Sequence, residues 1–324
     1  MTVPARRPEA VVDLVAVDPV DDGVSDATVF DLLQTGDAEG IPGALVTILS
    51  VTGGAPRPAG THMAVLSDGR YVGYVSGGCV EPAIARAVLE MIARGESGML
   101  RIGAGSPWLD LRLPCGGGLA LQVMVAPDAR TIARIRDAIR ARRTVSAEFA
   151  PTFALDDRLA ATGWRDGVFH RRYVPDVRLV VAGDGREAST LARIAGVSGM
   201  DVRRAPMRDD IAPYVDRRTA IVLLDHDHER ELPMLLRALA TDAFYIGAMG
   251  SVRTHDVRCE ALRTLGVTEA ALSRIHAPIG LVDRTRDSRA LAFSILAEIV
   301  REAARDEAAP ATMINPQPFA TPAI

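Results

Sequence analysis

Val177-Arg178-Leu179-Val180-Val181-Ala182-Gly183-Asp184-Gly185 decides the fold. A run of apolar and β-branched residues empties into a glycine turn, and Ala188, Leu191, Ala192 and Ile194 then recur at helical spacing. The alternation continues through Thr219 to Leu224 and Phe244-Tyr245-Ile246, each followed by a helical pattern. Strands alternating with helices predict a parallel sheet covered on both faces, a Rossmann-like domain over residues 177–305. The glycine turn alone does not make a dinucleotide site. Asp184 and Glu187 put carboxylates where a pyrophosphate would lie, and Arg203 or Arg204 stands where NAD requires an acid for its ribose. Tight NAD binding is not expected. Either arginine suits a 2′-phosphate, so an NADP-dependent oxidoreductase stays as the alternative function.

Further along this half, Gly247-Ala248-Met249-Gly250-Ser251 turns from a strand into a helix that carries Arg253 in its first turn. Free N–H groups at a helix start beside a guanidinium make a phosphate cradle, with Gly247, Gly250, Ser251 and Arg253 as its candidates. Asp225-His226-Asp227-His228 closes another strand and has the residue types of a metal site. Alternate residues of a continuing strand face opposite ways, so the four cannot all converge if that strand runs on. Cys259 falls within a helical pattern and is expected to pack.

The upstream half is read from Ser76-Gly77-Gly78-Cys79-Val80-Glu81-Pro82. Ser67-Asp68-Gly69-Arg70 between two apolar runs predicts a hairpin, and Pro82 with Ile84, Ala85, Val88, Leu89 and Ile92 predicts a helix over 82–94. Cys79 thus stands just outside a helix N-terminus, where the dipole and N–H groups favour a thiolate while Glu81 opposes one. Gly77 and Gly78 either let a bulky ligand approach the backbone or make a tight turn beside a small buried cysteine.

Gly43 to Val51 reads as a buried strand running into Thr52-Gly53-Gly54-Ala55-Pro56-Arg57-Pro58-Ala59-Gly60. Arg57 there is either an anion ligand or a solvated arginine. Leu113-Pro114-Cys115-Gly116-Gly117-Gly118 places a second cysteine beside glycines at a strand end. If the strands are neighbours, both thiols border one cleft. Expected helices start at Asp26 and after Asp128. The expected layout is a flexible arm over 1–25, an N-terminal α/β domain over 26–143, a connector over 144–176 that reads as a strand or hairpin, a turn near Gly163 to Gly167 and a polar run from Phe169 to Tyr173, the Rossmann-like domain, and a disordered tail over 306–324.

At 324 residues the chain is long enough for two cores. A charged fraction of 24% and a net charge of −4 give no bulk attraction to nucleic acid or anionic lipid. No apolar run reaches the length of a membrane span, and a cytoplasmic protein is expected. Cys79, Cys115 and Cys259 lack CxxC spacing, which argues against a disulfide framework or a structural zinc site.

The Arg57 loop, the Ser76 to Glu81 block and the Leu113 to Gly117 block together resemble the N-terminal domain of the XdhC/CoxI family. Phe244 to Ser251, Arg253-Thr254-His255, Ile275 to Leu281 and Ser294 to Ile299 are similar to its C-terminal Rossmann domain. These are the xanthine dehydrogenase accessory proteins. The resemblance covers about residues 27 to 304 and implies a molybdenum cofactor chaperone, an accessory protein and not an enzyme, with molybdopterin as cargo held in a cleft between the domains. It further implies a xanthine-dehydrogenase-type or carbon-monoxide-dehydrogenase-type molybdenum hydroxylase as client, a cysteine desulfurase as sulfur donor, and a homodimer. In that scheme Cys79, with Cys115 beside Gly116, coordinates molybdenum or guards its sulfur, and Arg57 with the Gly247 to Ser251 turn and Arg253 holds the pterin phosphate. The charged turn Gly183 to Glu187 departs from the family pattern.

Overall fold

A computed structural model describes residues 13–16, 25–54, 57–78, 80–103, 116–149, 153–225, 227–282 and 285–307. The chain divides into two compact units, with the boundary between Pro175 and Asp176.

The first unit contains, in order, β1 (Val15–Ala16), α1 (Asp26–Glu39), β2 (Gly43–Thr52), β3 (His62–Leu66), β4 (Arg70–Val72), α2 (Glu81–Arg94), β5 (Gly98–Gly103), β6 (Gly118–Val125), α3 (Ala129–Arg140), β7 (Val145–Phe149), β8 (Phe153–Asp156), β9 (Gly163–Arg165) and β10 (Val168–Tyr173). Six strands form one sheet in the order β1-β4-β3-β2-β6-β5. Its central strand β2 is apolar without alternation because both faces are covered. Ala44, Val46 and Ile48 share a core with Ile84, Ala85 and Val88 of α2. Leu45 and Leu49 join Phe30 of α1 and Ile132 of α3 in another. Ser25 caps α1 and Asp128 caps α3, each accepting from a backbone N–H three residues on.

Residues 144–176, expected as a connector, instead form a second antiparallel sheet in the order β8-β7-β10-β9 within the first unit. Ala147, Phe149, Phe153, Phe169 and Tyr173 bury one face of it in the core containing Leu45 and Leu49. The charged residues between these aromatics concealed a period-two pattern, and none of the four strands exceeds six residues. His62 ties the sheets together. Its ring nitrogens lie 2.9 Å from the Thr47 hydroxyl and 2.9 Å from the Tyr173 hydroxyl. Burial lowers its pKa to about 4. Within the expected arm, Val15 and Ala16 pair with Arg70 and Tyr71 as a parallel edge strand. The rest of residues 1–24 lies outside the described residues, apart from Asp13 and Leu14.

The second unit contains β11 (Arg178–Ala182), α4 (Arg186–Val197), β12 (Asp201–Ala205), β13 (Thr219–Leu223), α5 (His228–Leu239), β14 (Tyr245–Ala248), α6 (Val252–Thr264), α7 (Glu269–Leu272), β15 (Ile275–His276) and α8 (Ser288–Glu307). Its five strands are all parallel, in the order β12-β11-β13-β14-β15. Val180, Ile221 and Ile246 pack with Met234, Leu235 and Leu262 from α5 and α6. Leu179, Val222 and Tyr245 pack with Leu191, Ile295 and Ile299 from α4 and α8. Helices on both faces of a parallel sheet are the doubly wound arrangement read from the sequence. The helix α8 runs through Glu307, two residues into the expected tail, and 308–324 lie outside the described residues. Among the described residues no helix is long and apolar enough to cross a membrane.

Candidate functional site

In the first unit, strand directions gather the marked loops. β2 runs antiparallel to both β3 and β6, β3 to β4, and β5 to β6. The end of β2, the start of β3, the end of β4, the end of β5 and the start of β6 therefore share one end of the sheet. Arg57, Gly77, Gly78 and Gly116 all lie on loops at that end. Cys79 and Cys115 lie outside the described residues. They adjoin these loops in sequence.

Two of the loops meet backbone to backbone. A Cβ on Gly117 would fall 2.7 Å from the Gly54 carbonyl and 2.8 Å from the Thr52 carbonyl, and one on Gly103 would collide with the Gly117 carbonyl. Glycine is required here for close approach. The Arg57 loop is anchored on its other side. A Cβ on Gly60 would meet Arg171 of β10 at 2.7 Å, and Trp164 of β9 donates to the Leu49 carbonyl at 3.0 Å.

The Ser76 to Glu81 block is organised by Glu81. The residue is 1% exposed. Its carboxylate accepts from the N–H groups of Val75 at 3.0 Å, Ser76 at 2.7 Å, Gly77 at 3.2 Å, Gly78 at 2.9 Å and Val80 at 3.2 Å. The Ser76 hydroxyl lies 2.8 Å from its Oε2. Gly77 and Gly78, with φ of 112° and 105°, curl the loop into a nest of donors around one anion. The N–H groups and the helix start that the sequence offers to Cys79 are thus taken up by Glu81, while Cys79 itself lies outside the described residues. Glu81 is the first residue of α2 and the acid of its first turn, so the protein's own carboxylate already uses both. Among the described residues, nothing lies within 4 Å of a Cβ added at Gly78 or Gly116.

In the second unit, a cavity of about 750 Å³ opens at the carboxyl ends of the strands. Asp225 after β13, Met249, Gly250, Ser251, Arg253 and Thr254 around the start of α6, and Pro278 to Gly280 after β15 line it. Three of the four phosphate candidates, Gly250, Ser251 and Arg253, come together here. Gly247 does not. Its added Cβ would collide with Ile279 and lie 2.7 Å from the Tyr245 ring, so that glycine serves packing behind the wall. The Ser251 hydroxyl caps α6 by accepting from the Thr254 N–H at 3.1 Å. The first turn of α6 has no acid.

Buried carboxylates fix the cavity walls, one through an arginine and one directly. Glu231 holds Arg258 by paired contacts of 3.0 Å, and Arg258 donates to the Met249 carbonyl at 2.7 Å. Glu298 accepts from the Gly280 N–H at 2.6 Å and the Tyr245 hydroxyl at 2.7 Å. Burial and Glu298 push the Tyr245 hydroxyl pKa far up, which keeps it a donor. Asp225, weighed above as a metal ligand, instead accepts from the Asp227 N–H at 3.0 Å and lines the cavity. His226 and the side chain of His228 lie outside the described residues. Sequence reading missed Glu231 and Glu298 because their partners are distant in the chain.

The first Rossmann turn is built otherwise. Arg204 donates to the Gly183 carbonyl at 2.8 Å and to the Ser189 hydroxyl at 2.9 Å. It is committed to the turn. Asp184 is exposed, 3.6 Å from Arg230. Cys259 is buried in α6 within the core, and burial pushes its thiol pKa up.

Comparison with known proteins places this architecture. Residues 179–299 match the XdhC Rossmann domain and residues 37–103 the XdhC and CoxI family. Over 259 residues the chain is 39% identical to the molybdenum cofactor insertion chaperone PaoD of Escherichia coli K12, covering 79% of this chain and 81% of that protein. The chain belongs to the XdhC/CoxI family. It is also 22% identical to a probable xanthine dehydrogenase subunit of Bacillus subtilis, over 85% of this chain and 96% of that one. A crystal structure described as a xanthine dehydrogenase from Bacillus halodurans shares the fold with a TM-score of 0.66 at 19% identity, covering 89% of this chain and 98% of that one. The family matches fall on both units.

Proposed function

We propose that this XdhC/CoxI protein binds molybdenum cofactor as cargo and inserts it into a molybdenum hydroxylase, acting as a carrier and not as a turnover enzyme. The observation that carries this reading is the identity with the insertion chaperone across most of both chains. The two units offer chemistry suited to different parts of such a cargo. At the second unit's cavity, the start of α6 with Ser251 and Arg253 suits a phosphate, because the helix dipole there is not neutralised by an acid. Asp225 on the same wall suits the amino and ring N–H donors of a pterin. In the first unit, Cys79 and Cys115 offer thiols at loops whose glycines leave open space, with Arg57 on the neighbouring loop. Because Glu81 uses the loop donors, a bound metal must itself supply the charge that deprotonates the thiol. A cysteine desulfurase as sulfur donor and a homodimer complete the reading, both resting on the family resemblance.

The test is purification from a host that makes the cofactor, followed by measurement of molybdenum and released pterin. Stoichiometric pterin, falling most for Cys79→Ser, less for Cys115→Ser and hardly for Cys259→Ser, is expected. Full loading and client activation by Cys79→Ser would remove the thiol from the mechanism. Absence of pterin from the unmodified protein would remove the carrier function.

A further inference from the structure

We propose that Glu148, Asp156 and His170 form a binding site for a divalent transition-metal cation of the zinc class. The site is built on the four-stranded sheet of the first unit. His170 on β10 is the direct cross-strand partner of Glu148 on β7, and Asp156 on β8 is opposite Ser146, two residues from Glu148 on the same strand. Period-two alternation therefore sends Ser146, Glu148, Asp156 and His170 to one face, while Ala147, Phe149 and Phe169 take the other into the core. A nitrogen and two carboxylate oxygens, one from each residue, lie within 4.8 Å of one another.

His170 points to a ligand. Its Nδ1 lies 3.3 Å from Asp156 Oδ2 and 3.9 Å from Glu148 Oε1. The residue is only 5% exposed, and that nitrogen makes no hydrogen bond. A buried ring nitrogen facing two carboxylate oxygens without donating to either is placed as a ligand atom. Bonds of about 2.0 to 2.2 Å in tetrahedral array set ligand atoms roughly 3.3 to 3.6 Å apart, close to these separations. Imidazole with two carboxylates suits zinc and its neighbours better than magnesium or calcium, which take oxygen ligands.

Outer contacts orient the carboxylate. Asp156 Oδ1 accepts from the Arg158 N–H at 2.9 Å, and Oδ2 lies 3.2 Å from the buried Ser146 hydroxyl. Burial would push the Asp156 carboxyl up, but the Arg158 and Ala160 N–H groups, Ser146 and His170 outweigh it and hold it below the usual range. A cation here would pin β7, β8 and β10 in one sheet, the sheet whose Arg171 backs the Arg57 loop.

The experiment uses the full chain, stripped with a chelator and titrated with zinc alone, and with cobalt as a spectroscopic stand-in. About one zinc per chain, a higher melting temperature with zinc than with magnesium, and the visible bands of tetrahedral cobalt are expected. His170→Asn and Glu148→Gln are expected to weaken zinc at least about 10- to 100-fold. Should a variant fail to fold, the cobalt spectrum of the unmodified protein still decides. Absence of that spectrum together with no zinc retained would overturn the site. Molybdenum loading is not read, so failure here is separate from failure of the carrier function.

Discussion

Both units hold their ligand loops with buried carboxylates, but they do so differently. In the first, Glu81 accepts directly from the backbone of the Val75 to Val80 loop and sits on the start of α2. In the second, Glu231 acts through Arg258, Glu298 takes one loop donor, the Gly280 N–H, together with the Tyr245 hydroxyl, and the start of α6 has no acid. A helix N-terminus already neutralised by the protein cannot also attract an anionic ligand at full strength, whereas an uncompensated one can. On the proposed carrier function, the difference makes the start of α6 the better place for an anionic group than the loop closed by Glu81.

The largest expected effect tests this directly. Glu81→Ala strands several buried donors at once and should destabilise the first unit by about 3 kcal/mol or more, with loss of cofactor content. Glu81→Gln, keeping shape but losing charge, should fall between. Denaturant unfolding with pterin analysis checks both, and near-native stability of Glu81→Ala would make the loop self-supporting.

Acid separates the units next. An unfolded histidine titrates near 6.5 and native His62 at about 4, so between these values the unfolded chain binds the extra proton. Stability of the first unit should fall as pH drops through that window, by about 3 kcal/mol in full. His62→Asn should flatten the slope, measured by unfolding at stepped pH. An unchanged slope would place the acid sensitivity elsewhere.

Glycine substitutions sharpen the comparison at smaller scale. Gly247→Ala should cost about 1 to 3 kcal/mol through collision with Ile279 and Tyr245. Gly78→Ala meets open space but a φ of 105°, and should cost about 1 to 2 kcal/mol by conformation alone. Crystal structures of the two variants should show a displaced Ile279 in one and an altered loop in the other. The smallest change in stability is expected from Arg253→Ala, which is exposed and should leave the melting temperature nearly unchanged while lowering affinity for a pterin phosphate. Ser251→Ala, which removes a cap, should cost about 1 kcal/mol as well. Equal affinity in Arg253→Ala and the unmodified protein would move the phosphate from this cavity.

Much of this was legible in the chain because it is local. The Asp68-Gly69 hairpin, the strand and turn at Val177 to Gly185, and the helix start after Asp128 follow from a few neighbouring residues whose backbone preferences agree with the fold. Over 144–176 a strand or hairpin was legible but its four-stranded sheet was not. Its strands are short, and its outward face carries Glu148, Asp156 and His170, which read as loop polarity until pairing brings them together.

By itself the sequence determined α/β elements in both halves, a parallel sheet in the second, and where the glycine-rich turns fall, since periodicity and turn chemistry act over a handful of residues. Only the tertiary structure decided what those residues do. Glu81 lies beside Cys79 in sequence, yet its role depends on how the loop curls around its carboxylate. Gly247 and Gly250 belong to one motif, yet one faces the packing of Ile279 and the other a cavity. Glu231 and Glu298 find Arg258 and Tyr245 across 27 and 53 residues of chain. A buried charge takes its meaning from every donor that reaches it, and those donors are assembled only when the chain has folded.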